Sequence, residues 1–152
     1  MEKAGIGLLL NFKDLGIGSV EHPGDLPALV LAYIGDAVYE LAVRNHLVGC
    51  GTVKVNRLHK EAVKYVNAAA QARVLRALDG KLTEEEAAVS RRGRNAKSPH
   101  IPRSAGVIAY RQSTALECLI GYLYLKGDSH RLGEIIKTAL EAAGEEVPWE
   151  SE

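Results

Sequence analysis

The sequence predicts an all-α fold, and three observations carry that prediction. Apolar residues recur at helical spacing, and no convincing alternating run of strand type interrupts them. Only 5% of the residues are aromatic, while alanine and leucine recur throughout. Turn signals built on glycine, proline and aspartate punctuate the chain at helix-length intervals. A chain of 152 residues suits one domain around one core, and the punctuation allows about six or seven helices.

Residues 1–25 are mixed in character and glycine-rich, an N-terminal extension that ends on the turn signal HPGD (His22–Asp25). Pro27 suits the first turn of the helix that follows. In it Leu29, Tyr33, Asp36, Glu40 and Val43 form one row, and Val30, Ile34, Ala37 and Leu41 the next. VGCG (Val48–Gly51) closes it. Lys54–Leu78 reads as one long amphipathic helix. Leu58, Ala62, Tyr65, Val66, Ala69 and Leu75 make its apolar stripe, with Arg57, Lys60, Lys64, Arg73 and Arg76 largely off it. After the break at DGKL, Thr83 and Glu86 form a capping-box pattern that opens a shorter helix, fading at RRGRN. Lys97–Pro102, with two prolines, is a loop. Ser113 or Thr114 opens the next helix, STALECLIGYLYLK, apolar almost all round and therefore central. KGD ends it. The last helix, Ser129–Ala143, places Leu132, Ile135, Ile136, Ala139 and Leu140 on one face, with Gly144 where a C-terminal cap belongs.

Composition excludes several classes. An apolar fraction of 47% and a charged fraction of 25% argue against wholesale disorder. No apolar run reaches the roughly 18–20 residues of a membrane span. The apolar core of MEKAGIGLLLNFKD is too short for a signal peptide, which places the chain in the cytoplasm. Cys50 and Cys118 share no metal-ligand spacing and read as two free thiols in a reducing compartment. The formal net charge is +0, yet Arg91–Arg103 holds five cations and no acid, and Glu141–Glu152 holds five acids and no Lys or Arg. A basic loop and an acidic tail (residues 145–152) thus hide inside a neutral sum.

Two acids stand out. LPALVLAYIGDAVYELAV (Leu26–Val43) is apolar apart from Asp36 and Glu40, and Glu117 is the one charged side chain of Ser113–Leu125. A carboxylate in such surroundings is costly unless compensated. Each helix also carries a glycine, Gly35 beside Asp36 and Gly121 one turn after Glu117, although mid-helix glycine costs about 1 kcal/mol relative to alanine. Close approach of the two helices would account for both glycines and would bring Asp36 and Glu117 together. Paired carboxylates repel unless they share a proton or a cation. Mg²⁺ suits such a pair, because it takes oxygen ligands and often only one or two carboxylates plus substrate phosphate oxygens; the His and Cys expected for zinc are absent. Other roles stay open at this point. Thr114-x-x-Glu117 is itself a capping-box pattern, Asp36 could be a satisfied core acid or pair with Arg44 or a distant cation, and Glu40 could be a third ligand, a support behind the ligands or a solvated rim acid.

Arg91, Arg92, Arg94, Asn95, Lys97 and Arg103, with Gly93, Ser98 and His100 among them, have the guanidinium forks and small polar groups that suit phosphates. Arg57, Lys60 and Lys64 could extend that surface. Phosphate contacts give salt-dependent affinity with little sequence preference, and RNA duplexes are read through shape, phosphates and 2′-hydroxyls. A solvated loop is the plain alternative.

YIGDAVYE (Tyr33–Glu40) resembles the signature helix of the ribonuclease III catalytic domain, and ALECLIGYLYL (Ala115–Leu125) its second acidic helix. RRGRNAKS (Arg91–Ser98), LHKEAVKYVNAAAQA (Leu58–Ala72) and YRQSTALE (Tyr110–Glu117) are more restrictive. Together they resemble the Mini-ribonuclease III family, the short bacterial branch without a double-stranded-RNA-binding domain, over about Leu26–Ile136. The resemblance implies a ribonuclease III-type homodimer built on the apolar signature helix, with residues 26–144 as the catalytic domain. It implies Mg²⁺-dependent cleavage of double-stranded RNA, with Mn²⁺ as an alternative ion, and maturation of the large-subunit (23S) ribosomal RNA precursor, with a ribosomal protein as a possible partner. The family's signature aspartate falls on Asp36 and its glutamate on Glu117, as catalytic and metal-holding residues. Two positions depart from the full-length pattern: Ala32 and Thr114 replace acids, a pair the short branch shares. The departure favours one metal over two. It also supports the rival expectation, a non-catalytic module of this fold that binds structured RNA or the ribosome.

Overall fold

Six α-helices and two short 3-10 turns make up residues 12–98 and 106–144, the part of the chain that the computed structural model describes. No strand occurs among the described residues, as the sequence predicts. Residues 1–11, Arg103 with the rest of 99–105, and the acidic tail 145–152 lie outside them. The helices are α1 (Ala28–Gly49), α2 (Val55–Val66), α3 (Ala68–Leu78), α4 (Glu84–Asn95), α5 (Val107–Lys126) and α6 (Ser129–Gly144).

Helix α5 is the axis of the fold. It is buried through its middle, from Ser113 to Leu123 with Glu117 half-buried, and packs against α1, α3, α4 and α6. Its apolar girth follows directly from having neighbours on every side. Gly127, at φ 83°, ends it in the left-handed conformation that glycine adopts without penalty. Thr83 and Glu86 close the expected capping box on α4. Glu86 is 5% exposed, and its carboxylate accepts both Nη2 and Nε of Arg131 at 2.8 Å, which ties α4 to α6. Leu132, Ile135, Ile136 and Ala139 are buried on α6, as expected.

Three expectations need correction. Lys54–Leu78 is two helices, broken at Asn67, whose extended backbone (φ −70°, ψ 159°) leaves helical geometry. The Asn67 side chain caps the new helix, its Oδ1 accepting from the Ala70 N–H at 2.8 Å. The break shifts the phase: Ala70, Gln71, Ala72, Val74 and Leu78 face the core and Ala69 is exposed. Helix α5 begins at Val107, after Gly106, a turn and a half before Ser113. The hydroxyls of Ser113 and Thr114 donate back to the Tyr110 carbonyl at 2.8 and 3.1 Å, as helix-interior hydroxyls do. Finally, α1 buries Leu31, Ala32, Gly35, Val38, Tyr39, Val43 and Leu47, and turns Leu29, Val30, Tyr33, Ala37 and Leu41 outward. Asp36 lies on that outward side and is exposed, not enclosed in a core.

Candidate active site

Helices α1 and α5 touch backbone to backbone. A Cβ at Gly35 would lie 1.7 Å from the carbonyl oxygen of Glu117, and a Cβ at Gly121 would lie 1.9 Å from that of Leu31. Only glycine permits such an approach, so the two mid-helix glycines are the close crossing that the sequence suggests. The crossing delivers the acids. Asp36 follows Gly35, Glu117 faces it, and the two carboxyl groups come within reach of each other. With Thr114 buried inside α5, Glu117 is no helix cap.

Two carboxyls so placed resist full ionisation. Burial is the main cause that pushes Glu117 up, to about 8, and the negative charge of Asp36 adds to it; Glu117 is the member that keeps its proton. Asp36 is raised too, first by the water its neighbours displace, although the residue is exposed, and then by the charge of Glu40. Glu40 itself accepts from Arg44 at 3.4 Å, so Arg44 is paired with Glu40 and not with Asp36.

A pH dependence follows. The folded state of the metal-free protein holds a proton on Glu117 that the unfolded chain releases above the ordinary 4.5. Stability is therefore full below about pH 4.5 and is lost as pH climbs towards 8. In chelator, the melting temperature is expected to fall between pH 5 and pH 8, a fall that Glu117→Gln makes shallower. Equal slopes for wild type and variant would mean that Glu117 is not raised.

The donor set suits a hard dication. Two oxygen acids converge, no His or Cys joins them, and among the described residues no group of three or more His, Cys, Asp or Glu forms a ready-made cage. Two carboxylates completed by water and substrate oxygens are what Mg²⁺ or Mn²⁺ accepts. One further residue belongs to the site and was not foreseen. Gln71 of α3, 2% exposed, donates its Nε2 to Glu117 Oε2 at 3.3 Å. The signal for it was the one uncharged polar residue of Ala68–Leu78, which becomes core-facing once the helix starts after Asn67.

The basic candidates separate. Arg91, Arg94, Asn95 and Lys97 are exposed around the C-terminal end of α4. Arg92 is exposed as well, but its guanidinium donates to the carbonyls of Gly24 at 2.9 Å and Leu26 at 2.6 Å, inside the protein. Arg57 and Lys60 line a hollow of about 680 Å³ at the start of α2 together with Lys54, Val55, Asn56 and Glu61. Lys64 pairs with Glu61 at 3.2 Å. Cys50 and Cys118 are free thiols.

Residues 29–128 match the Ribonuclease III domain family. The chain is 50% identical over 120 residues to the Mini-ribonuclease 3 of Symbiobacterium thermophilum, covering 79% of this chain and 92% of that one. It is 54% identical over 111 residues to the Mini-ribonuclease 3 of Brevibacillus brevis, covering 73% and 83%. A crystal structure of a Fusobacterium nucleatum protein superposes with a TM-score of 0.71 at 31% identity, over 80% of this chain and 98% of that one.

Proposed function

This chain belongs to the ribonuclease III family, in its Mini-ribonuclease 3 branch, and from that membership we propose an endoribonuclease that hydrolyses double-stranded RNA at a site built on Asp36 and Glu117, with Mg²⁺, or Mn²⁺ in its place, as the cofactor. The observation that carries the proposal is the meeting of those two carboxyls at the α1–α5 crossing. Asp36 and Glu117 are the residues that would hold the cation, and they would do so as carboxylates. A bound divalent cation supplies Lewis acidity and an activated water. Gln71 keeps one Glu117 oxygen engaged, leaving the rest of the carboxyl for the cation. Hydrolysis in line leaves 5′-phosphate and 3′-hydroxyl ends. Ala32 and Thr114 are 6% and 5% exposed, packed side chains that bring no carboxylate of their own.

Arg91, Arg94, Asn95 and Lys97 offer exposed groups for the duplex backbone, and Arg103, outside the described residues, is the further cation proposed for it. Arg92 contributes to that surface by anchoring it. The substrate in the cell is the large-subunit (23S) ribosomal RNA precursor, with a ribosomal protein as a possible assistant. No helix among the described residues is long and apolar enough to cross a membrane, and the proposed location is the cytoplasm. Residues 26–144 form the catalytic domain, flanked by the extension 1–25 and the acidic tail 145–152.

Incubation with long duplex RNA and Mg²⁺ tests the proposal, with fragment ends mapped on a large-subunit precursor. Discrete fragments with 5′-phosphates support it. Duplex that is bound and never cut supports the non-catalytic module instead.

We also propose a homodimer. The apolar side of α1 stands open, with Tyr33 78%, Leu41 55%, Val30 42% and Leu29 37% exposed, which is costly in water and complementary to a second copy of itself. Two copies place two sites against the two strands of a duplex. Leu41→Glu is expected to yield a monomer in sedimentation equilibrium at micromolar protein. An unchanged mass would assign the dimer to another face.

A further inference from the structure

We infer that Gln71 is a positioning residue, which holds Glu117 in the orientation that receives the divalent cation; the inference rests on the proposed metal-dependent function and deepens it. The break at Asn67 starts the chain of causes. In an unbroken helix the Val66 carbonyl would accept from the Ala70 N–H. Here that N–H donates to Asn67 Oδ1 at 2.8 Å, so the Val66 carbonyl loses its helical partner. Gln71 supplies another, its Nε2 donating to Val66 O at 3.0 Å. A carbonyl can only accept, so this bond fixes which end of the amide faces inward. Turned over, Gln71 would set its own oxygen against that of Val66. The second hydrogen of Nε2 is thereby aimed at Glu117 Oε2, 3.3 Å away.

Burial adds rigidity. Gln71 is 2% exposed and its neighbours Ala70, Ala72 and Val74 are buried beside it, so the side chain has no room to choose another rotamer. Its Oε1 is buried without a hydrogen-bond partner among the described residues. A buried amide carrying an orphan acceptor costs stability. That it stands against one of the two site acids points to a task in holding that acid. Being neutral, the amide gives Glu117 direction without competing for a cation, which a lysine or arginine there would do.

The test uses full-length protein and Mn²⁺ alone, followed by calorimetry and by the electron paramagnetic resonance of the ion, with melting curves to verify folding. Gln71→Met keeps length and burial and removes the donor. It is expected to melt cooperatively and to bind Mn²⁺ about 10- to 100-fold more weakly, the usual effect of losing a residue that orients a metal ligand. Its cleavage of duplex RNA is expected to recover as Mn²⁺ is raised, whereas Glu117→Gln stays inactive at every concentration. If Gln71→Met fails to fold, Gln71→Asn, which keeps the amide but is too short to span both Val66 and Glu117, carries the same expectation. A folded variant with Mn²⁺ affinity within about twofold of wild type overturns the role of Gln71, outside the range expected for an orienting residue. Where Asp36→Asn still abolishes Mn²⁺ binding in that series, the functional proposal survives and only Gln71 falls. A wild-type protein that binds no Mn²⁺ overturns both.

Discussion

Asp36→Asn and Glu117→Gln are each expected to abolish cleavage of duplex RNA while leaving the six-helix fold standing. Both replacements keep the shape of the side chain and remove one of two charges. A lone carboxylate in this setting holds a hard dication poorly, and the developing charge on the phosphodiester loses its counterpart. The expected loss is at least about a thousandfold in rate, or roughly 4 kcal/mol of transition-state stabilisation. Folding is spared for separate reasons. Asp36 is exposed, and an amide at 117 removes a carboxyl whose ionisation burial and Asp36 already oppose. Duplex binding is expected to be kept too, because Arg91, Arg94 and Lys97 stay exposed and charged in both variants. Cleavage kinetics, melting curves and a gel shift at fixed salt check the three parts. A folded variant that cuts within about tenfold of the wild-type rate would remove the paired acids from the chemistry.

The second large effect is structural. Gly35→Ala sets a methyl group 1.7 Å from the Glu117 carbonyl oxygen and 2.8 Å from the backbone nitrogen of Gly121. Gly121→Ala meets Leu31 O at 1.9 Å. Nothing flexible stands at either contact, so relief requires two whole helices to separate along a buried seam. Overpacking in a core costs about 1–3 kcal/mol where side chains can yield, and more where backbone must. Each variant is expected to melt roughly 10 °C or more below wild type, or to be insoluble. Gly133→Ala is the control. That position is exposed within α6 and a Cβ there meets nothing within 4 Å. It is expected to stabilise by about 0.4–1 kcal/mol through the unfolded chain and the better helix propensity of alanine. Equal melting temperatures for Gly35→Ala and Gly133→Ala would mean that the crossing is looser than described.

Much of this was legible in the chain itself, for reasons that can be named. The two glycines beside the two acids are expensive in helices, and expense without another purpose signals contact; the contact is there. The capping box at Thr83 and the stop at Gly127 rest on local chemistry and were readable locally. What escaped reading depended on alternatives that sequence leaves nearly equal. Asn67 within an alanine-rich run either rides in a helix or caps a new one, and packing against α5 and α6 decides. Val107–Gln112 carries no breaker, so the hydroxyls of Ser113 and Thr114 looked like a start when they bond back to Tyr110 in mid-helix. Helix α1 is apolar on more than one side, and periodicity alone does not say which side is core; Asp36 therefore looked enclosed when it is open. Arg92 belonged to a run of cations, and a run does not reveal which member is held by the protein's own carbonyls.

The grip of Arg92 on Gly24 and Leu26 joins with the contact at Gly93, where an added Cβ would meet Cys118 Cβ at 2.7 Å. Between them, the end of α4 is latched both to the lead-in of the helix bearing Asp36 and to the helix bearing Glu117. The cationic end that would rest on a duplex is thus tied by direct contacts to both helices that carry the acids that would cut it. On the proposed function such a protein would measure: the step from where it would grip a phosphate ladder to where it would sever one is set by its own girders. Lengthening or shortening the stretch between Asn95 and Gly106 should alter how firmly it grips, and leave the register of the cut where the frame sets it.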